Sequence, residues 1–308
     1  MSISTATQQP APHSALRRLV TRHPVAAFLV MAYTLYFAFA LPPVRTYLGI
    51  FLDQPLWAVL GHLFGSTLPA FLVMAALHGR AGVRDLARRS LRWRVGVRWY
   101  LVALLGLPIT VMLAASVIFG LAPLNALVDK WPLLFTVMLP DLLLRIVFFN
   151  LAEEIGWMGF LQARLQDRHG PLKASVMVTL PFALWHLPDV MIEFGLTPLA
   201  LDFYLVLGAF AIAQLFGRVI IMWLYNNTNR SVLLVGLFHS THNTTVNRIT
   251  SEFIPGPAES GFFIVSGVLA VAAVLIVVFT RGRLSYKPDQ ALRPAATPPS
   301  GDVPLPQA

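Results

Sequence analysis

The sequence predicts an all-α fold: a polytopic membrane helical bundle of about eight transmembrane helices, with both termini in the cytoplasm. Of its 308 residues, 56% are hydrophobic and only 12% are charged, whereas soluble domains carry about 25% charged residues. The mean hydropathy is +0.68. Eight apolar runs are long enough, at about 1.5 Å per helical residue, to cross about 30 Å of hydrocarbon. The runs are 25–41, 56–78, 99–120, 141–163, 173–188, 200–224, 231–249 and 261–280.

The loops between these runs divide their positive charge unequally. Of the 23 lysines and arginines, 18 fall on one side of the predicted membrane, three fall on the other, and Arg145 and Arg218 lie within spans. The positive-inside rule therefore places both termini in the cytoplasm. This topology accounts for the net charge of +9 without nucleic acid as a partner. The stretch 79–98 interleaves arginine with Leu, Val and Trp, which predicts an interfacial helix that binds anionic lipids of the cytoplasmic leaflet.

The two ends of the chain differ in composition from the membrane region. The arginines before the run 25–41 give this segment the pattern of a signal peptide. Its apolar core is longer than the usual ~7–15 residues, so we expect an anchor that is retained in the protein, with cleavage as the alternative. Segments 1–15 and 284–308 are rich in Pro, Ala, Ser and Gln and are predicted to be disordered tails. Residues 16–283 are then one membrane-embedded domain. Cysteine is absent, which excludes disulfides and thiolate chemistry.

The fourth predicted span carries two adjacent carboxylates, Glu153 and Glu154. Proline followed by aspartate at 140–141 predicts the helix start. With Arg164 at the cytoplasmic end, Glu153 lies about 16 Å deep, near the midplane. A charged side chain there costs at least about 2.5–3.5 kcal/mol by insertion scales, so the pair is expected to be neutralised or used.

Two further spans carry polar side chains at a similar depth. His186 follows Phe182 by one turn in the fifth span, and His239 and Asn243 share one face of the seventh. Polar residues continue to Asn247 in the seventh span, which predicts a helix that lines a wet cavity. The histidines and Asn243 lie about 14–20 Å from the cytoplasmic edge. Together with the span that carries the carboxylates, three helices therefore place polar groups in one depth band.

This combination of groups suits the hydrolysis of a carbonyl compound. The carboxylate can accept a proton from water, and the imidazoles and the amide can donate to an oxyanion. Taken one at a time, the same residues are also explained as interhelical hydrogen bonds. For the combination, the main alternative is a transport or proton-relay site.

Three segments resemble the signature motifs of the CPBP intramembrane endopeptidase family, also called the CAAX protease and bacteriocin-processing, or Abi, family. They are EEIGWMG, FALWH and HSTHN, against EExxxR, FxxxH and HxxxN. Their order agrees with the family, and the likeness covers roughly residues 60–280. The resemblance implies an eight-helix protease that cleaves a peptide or membrane-protein substrate close to or within the bilayer. The expected location is a bacterial inner membrane, and the substrate's identity is left open.

The resemblance also implies a role for each matched residue. Glu153 would activate the attacking water, and His186 would help to hold it. His239 and Asn243 would donate to the oxyanion of the tetrahedral intermediate. Phe182 would shape the site rather than react.

One position departs from the family pattern. Met158 stands where the motif has arginine, so Glu154 lacks the cation expected one turn away. Arg218, at a depth of about 12 Å against about 15 Å for Glu154, is the candidate replacement. The departure leaves a catalytically inactive CPBP-like scaffold as an alternative to an active protease. A transporter of protons or a small solute stays the alternative that the polar residues themselves allow.

The resemblance leaves the metal question open as well. Glu153, His186 and His239 form a plausible three-ligand zinc set. The chain has no HExxH sequence, and the amide of Asn243 suits an oxyanion hole better than zinc. We therefore expect no cofactor, with zinc as the alternative.

Overall fold

The structure, a computed structural model, describes residues 15–41, 56–195 and 198–288. Within these ranges the protein is built from helices and contains no strand, which confirms the all-α prediction. The helices are α1 (Ala15–Arg22), α2 (Pro24–Ala40), α3 (Leu56–Ser90), α4 (Val97–Phe119), α5 (Ala122–Asp129), α6 (Leu134–His169), α7 (Pro171–Trp185), α8 (Leu187–Phe194), α9 (Leu201–Asn227), α10 (Val232–Thr244, continued by Thr245–Ile249 and Thr250–Phe253) and α11 (Ala258–Thr280).

Each of the eight apolar runs falls on a helix, but the helices differ in length. Among the described residues, five are long and apolar enough to cross a membrane: α3, α4, α6, α9 and α11. Helices α1 and α2, bent by 104° at residue 23, give a sixth if the pair is one span. Helix α7 is shorter, with 15 residues, whereas α10 runs without a break from Val232 to Phe253 but carries a polar stretch from His239 to Asn247. The polytopic helical bundle is therefore confirmed, while the number eight and the orientation stay predictions.

Two boundaries of the predicted spans are wrong. Helix α6 begins at Leu134, six residues before Pro140, because the wider π-helical turn Leu134–Met138 accommodates a proline ring that a regular α-helix would exclude. Helix α7 ends at Trp185, so His186 lies in the break between α7 and α8 rather than inside a span. A proline as the second residue of α8 favours this break.

The basic stretch 79–98 is mostly part of α3. The helix continues to Ser90 across a kink at Gly79, whose φ of 57° lies in the region that favours glycine. Arg89 is buried: it pairs with Asp85 and donates to the Gly159 carbonyl. Arg89 is therefore structural and not part of a lipid-binding face.

The predicted tails fall largely outside the described residues, which exclude 1–14 and 289–308. At the C-terminal boundary, Leu284 is fully buried, and its carbonyl accepts a hydrogen bond from Asn226. Tyr286 donates to Asp167 at the end of α6. These contacts show packed structure as far as Tyr286, beyond the boundary predicted at 283.

Contacts between loops group the helix ends in two sets. At one end, Arg92 donates to the Asn229 carbonyl and Arg230 pairs with Asp167. At the other end, Lys130 pairs with Glu252. These are the same two groups of loops that the charge count placed on opposite sides of the membrane.

Small residues bring three helices close together beside the carboxylates. A Cβ on Gly156 would overlap the Ser66 hydroxyl and lie 2.7 Å from its carbonyl oxygen, so α3 and α6 cross with their backbones nearly in contact. A Cβ on Gly65 would lie 2.6 Å from Tyr36 Cβ, which fixes α2 against α3 in the same way. The crossing places one turn of α3 directly against Glu153.

Candidate active site

Glu153 and Glu154 lie on a regular helical segment of α6, Leu151–Gly156, between two π-helical segments, Ile146–Asn150 and Trp157–Gln162. Both carboxylates are buried. Consecutive residues of a helix point about 100° apart, so the two side chains meet different neighbours. Glu153 faces α3 and the break after α7, whereas Glu154 faces α9 and α10.

Glu154 has its counter-charge on α9. The Arg218 guanidinium, itself fully buried, donates to both carboxylate oxygens at 2.9 and 3.0 Å, so the predicted pair is present. His239 Nδ1 lies 2.8 Å from Glu154 Oε1. The Arg218 Cζ atom lies 3.8 Å from the centre of the Phe182 ring, a cation–π contact. Phe182 thus supports the arginine that neutralises Glu154.

Glu153 uses one of its two oxygens and leaves the other unpaired. Oε1 lies 2.9 Å from His62 Nε2. Oε2 is buried and has no hydrogen-bond partner among the described residues. It lies 3.7 Å from His239 Nδ1 and 4.0 Å from His186 Nε2. Both separations are too long for a direct hydrogen bond and short enough for one water to bridge.

The tautomer of His186 follows from its backbone contact. Nδ1 lies 2.9 Å from the Phe182 carbonyl oxygen, which can only accept, so Nδ1 carries the hydrogen. In the neutral ring, Nε2 then presents its lone pair towards Glu153. The Phe182 and His186 rings also pack with centres 4.4 Å apart. His186 is therefore held in an orientation in which it can accept a hydrogen from a water beside Glu153.

Asn243 lies one helical turn away from the carboxylates. Its side-chain amide donates to Asn150, one turn before Glu153 on α6, at a long 3.4 Å. Its carbonyl oxygen lies 3.1 Å from His242 Nδ1. The structure thus brings the other predicted site residues together around the two carboxylates and places Asn243 at the edge of the group.

His62 is a member of this site that the sequence analysis missed. It lies on α3, its Nδ1 is 2.7 Å from the Ala58 carbonyl oxygen, and the ring is buried. The rings of Tyr36, Phe149 and Trp185 surround it edge-on at 5.3–5.4 Å. A histidine within the apolar run 56–78 was the available signal. Its distance of 18 residues from Arg80 corresponds to about 27 Å of helix, which lies outside the depth band of the other site residues.

The ligand atoms of the alternative zinc set, Glu153, His186 and His239, do not all converge in this structure. Zinc ligands lie about 2.0–2.3 Å from the ion, so the ligand atoms must converge. In the described part of the chain, the three residues with ligand atoms within 4.8 Å of one another are Glu153, Glu154 and His239, without His186. Both oxygens of Glu154 already accept from Arg218. His239 Nδ1, the nitrogen that faces Glu153, is bound to Glu154.

A small cleft with a free volume of about 10 Å³, roughly that of one water molecule, lies beside the site between α9 and α10. Its lining combines polar and apolar side chains with one glycine. The lining residues are Gln214, Gly217, Ile221, Phe238, His239 and His242. Because His239 lies both in this lining and beside the carboxylates, the cleft adjoins the site.

Part of the chain is similar to known proteins. Residues 135–245 match the family described as Rce1-like, type II CAAX prenyl endopeptidase. The chain is 25% identical over 130 residues to "CAAX prenyl protease 2" of Methanococcus maripaludis, an alignment that covers 42% of this chain and 46% of the relative. The chain thus spans about half the length of that curated relative. Residue 62 lies outside the family match, whereas the motif residues lie inside it. The predicted resemblance to the CPBP family is therefore confirmed, and residues 135–245 carry it.

Proposed function

We propose that the protein is an intramembrane endopeptidase that hydrolyses peptide bonds with water activated by Glu153. The observation that carries this proposal is the buried Oε2 of Glu153, which has no partner within the described ranges and lies between two imidazoles. A carboxylate in this position can take a proton from water. The similarity to CAAX prenyl endopeptidases supports peptide-bond hydrolysis as the reaction class.

The first step joins water to the peptide carbonyl. Water bridges Glu153 Oε2 and the Nε2 lone pair of His186, whose separation of 4.0 Å suits one water between them. Oε2 takes one proton as the oxygen attacks the carbonyl carbon. The same proton then passes from Oε2 to the leaving nitrogen as the C–N bond breaks, which returns Glu153 to its starting state.

The developing oxyanion needs donors, and α10 supplies them. His239 is held through Nδ1 by Glu154, so its ring orientation is fixed and its Nε2 faces away from that bond. In the protonated ring, Nε2 donates to the oxyanion, and the Glu154 carboxylate stabilises the positive charge. Asn243 is the second donor: its present contact with Asn150, at 3.4 Å, is weak and easily exchanged for a stronger one to an oxyanion.

The substrate is a peptide or a membrane protein, and we propose that it enters through the cleft between α9 and α10. We further propose a bacterial inner membrane as the location. Anionic lipids are expected on α3, where Arg80, Arg84 and Arg88 are exposed at four-residue intervals and so share one face. The exposed Trp93 follows this face and suits the interfacial region.

Glu153→Gln tests the proposed mechanism, because glutamine keeps the shape of glutamate but cannot take the proton. With a library of quenched fluorescent peptides in detergent, turnover should fall about 10²–10⁴-fold while peptide binding survives. Glu259→Gln is the matched control, since Glu259 is exposed at the start of α11, and it should cleave at the wild-type rate.

Two results would contradict the proposal. Cleavage at the wild-type rate in Glu153→Gln would exclude Glu153 as the base. Peptide binding without cleavage by the unaltered protein would instead favour the inactive scaffold.

A further inference from the structure

His62 lies on α3, and two successive turns of this helix form three contacts with Glu153 and its neighbour Ala152. His62 Nε2 contacts Glu153 Oε1 at 2.9 Å. On the next turn, Ser66 donates to the Glu153 carbonyl and Thr67 donates to the Ala152 carbonyl, each at 2.8 Å. The backbone and the side chain of Glu153 are therefore both held from α3.

The His62 ring cannot turn away from the carboxylate without losing its other contacts. Nδ1 donates to the Ala58 carbonyl, one turn earlier on the same helix, at 2.7 Å. Tyr36 and Trp185 pack edge-on against the ring at 5.3 and 5.4 Å and stack on each other at 3.9 Å. The position of Nε2 is thus set by the helix and by a rigid aromatic wall.

A proton must lie on the contact between His62 and Glu153. Nδ1 carries a hydrogen because the Ala58 carbonyl can only accept. Nε2 and Oε1, at 2.9 Å, would otherwise present two lone pairs to each other, so one of the two atoms carries a hydrogen. Oε1 is therefore occupied, and Oε2 is the oxygen left to meet water.

We propose that His62 is a positioning residue for Glu153: it binds Oε1, fixes the plane of the carboxylate, and presents Oε2 to the attacking water. The inference rests on the proposed function of Glu153 as the base. During the reaction, the water proton goes to Oε2 and then to the leaving nitrogen, while the proton between His62 and Oε1 stays in place. No proton is gained or lost by the pair over one turnover.

Two substitutions at one position separate hydrogen bonding from packing. The amide of His62→Gln can donate to Oε1, whereas His62→Leu fills similar space without a donor. We expect kcat of His62→Leu to fall about 10–100-fold, the usual effect of losing such a supporting contact, with KM little changed. His62→Gln should recover most of kcat. His78→Leu and His78→Gln, sixteen residues further along α3, are the controls and should cleave like the wild type.

The double variant Glu153→Gln/His62→Leu shows whether His62 acts through Glu153. If it does, the double variant is no slower than Glu153→Gln alone, because effects of residues that act as one unit do not add. A wild-type kcat in His62→Leu would overturn the proposal, as would equal losses in the leucine and glutamine variants. Failure of the proposed function would look different, because Glu153→Gln itself would then cleave at the wild-type rate.

Discussion

At the scale of single residues, the site separates two adjacent carboxylates by their partners. Glu154 forms an ion pair with Arg218 and orients His239. Its role is therefore structural. Glu153 has a histidine on one oxygen and none of the described residues on the other. The fully buried Met158 contributes no charge at the position where the family motif has arginine.

Removing Arg218 should therefore leave an unpaired carboxylate in the interior. Arg218→Met is expected to lower the free energy of unfolding by about 3–5 kcal/mol, measured by denaturant unfolding in detergent. Met158→Arg in that background should recover stability, because it returns a cation to the turn after Glu154. Met158→Arg alone should destabilise, since it buries a second cation without a carboxylate. Arg84→Met, on the exposed face of α3, is the control and should change little.

The sequence located the Glu154–Arg218 pair because the rise of a helix converts residue number into depth. It did not locate His62, since one histidine in an apolar run carries little weight until its partner is known. The contact between Asn243 and Asn150 could not be predicted either. The rotamer of an amide side chain depends on the surrounding packing, which the spacing of residues in the sequence does not determine.

At the scale of elements, the site depends on how closely α3 approaches α6. Gly156 allows this approach, and Ser66 and Thr67 then bond to carbonyls of α6. The sequence predicted both helices but not this crossing, which requires knowing which glycine faces which helix. It also misplaced the start of α6, because a π-helical turn before Pro140 leaves no simple mark in the sequence.

Gly156→Ala should force α3 and α6 apart. Its Cβ would overlap the Ser66 hydroxyl and approach the Ser66 carbonyl to 2.7 Å, so both stability and cleavage should fall. We expect a loss of about 1–3 kcal/mol, as for overpacked cores, measured by thermal unfolding and by peptide cleavage in detergent. Adding Ser66→Ala should restore only part of the loss, because the backbone carbonyl remains. Full recovery in the double variant would show that the backbones are not in contact. Gly208→Ala, which has open space around it, is the control.

At the scale of the whole molecule, the helix ends form two groups that agree with the distribution of charge in the loops. The end with Arg92, Asp167 and Arg230 carries the basic loops, and the end with Lys130 and Glu252 carries few. This grouping was predicted by counting lysine and arginine in the loops. The apolar runs alone show that successive loops alternate between the two sides of the membrane, but not which side is the cytoplasm. The number of spans was harder to predict, because α7 has only 15 residues and α10, although it continues to Phe253, contains a long polar stretch.

Reporter fusions test this orientation directly. Fusions after residues 90, 168 and 288 should report the cytoplasm, because the basic loops stay inside. Fusions near 128 and 255 should report the opposite side, as measured with paired phosphatase and fluorescent-protein reporters. Phosphatase activity at residue 90 would contradict the orientation and the depths derived from it.

The place of the counter-charge also affects how proteins of this kind can be recognised. A signature that demands arginine four residues after the second glutamate rejects this chain at Met158, although Arg218 supplies that charge from a position 64 residues along the chain. In this chain the pairing is thus a spatial unit, a carboxylate with a guanidinium, rather than a fixed spacing. A search that accepts arginine at either of the two positions would recover chains that the linear pattern discards.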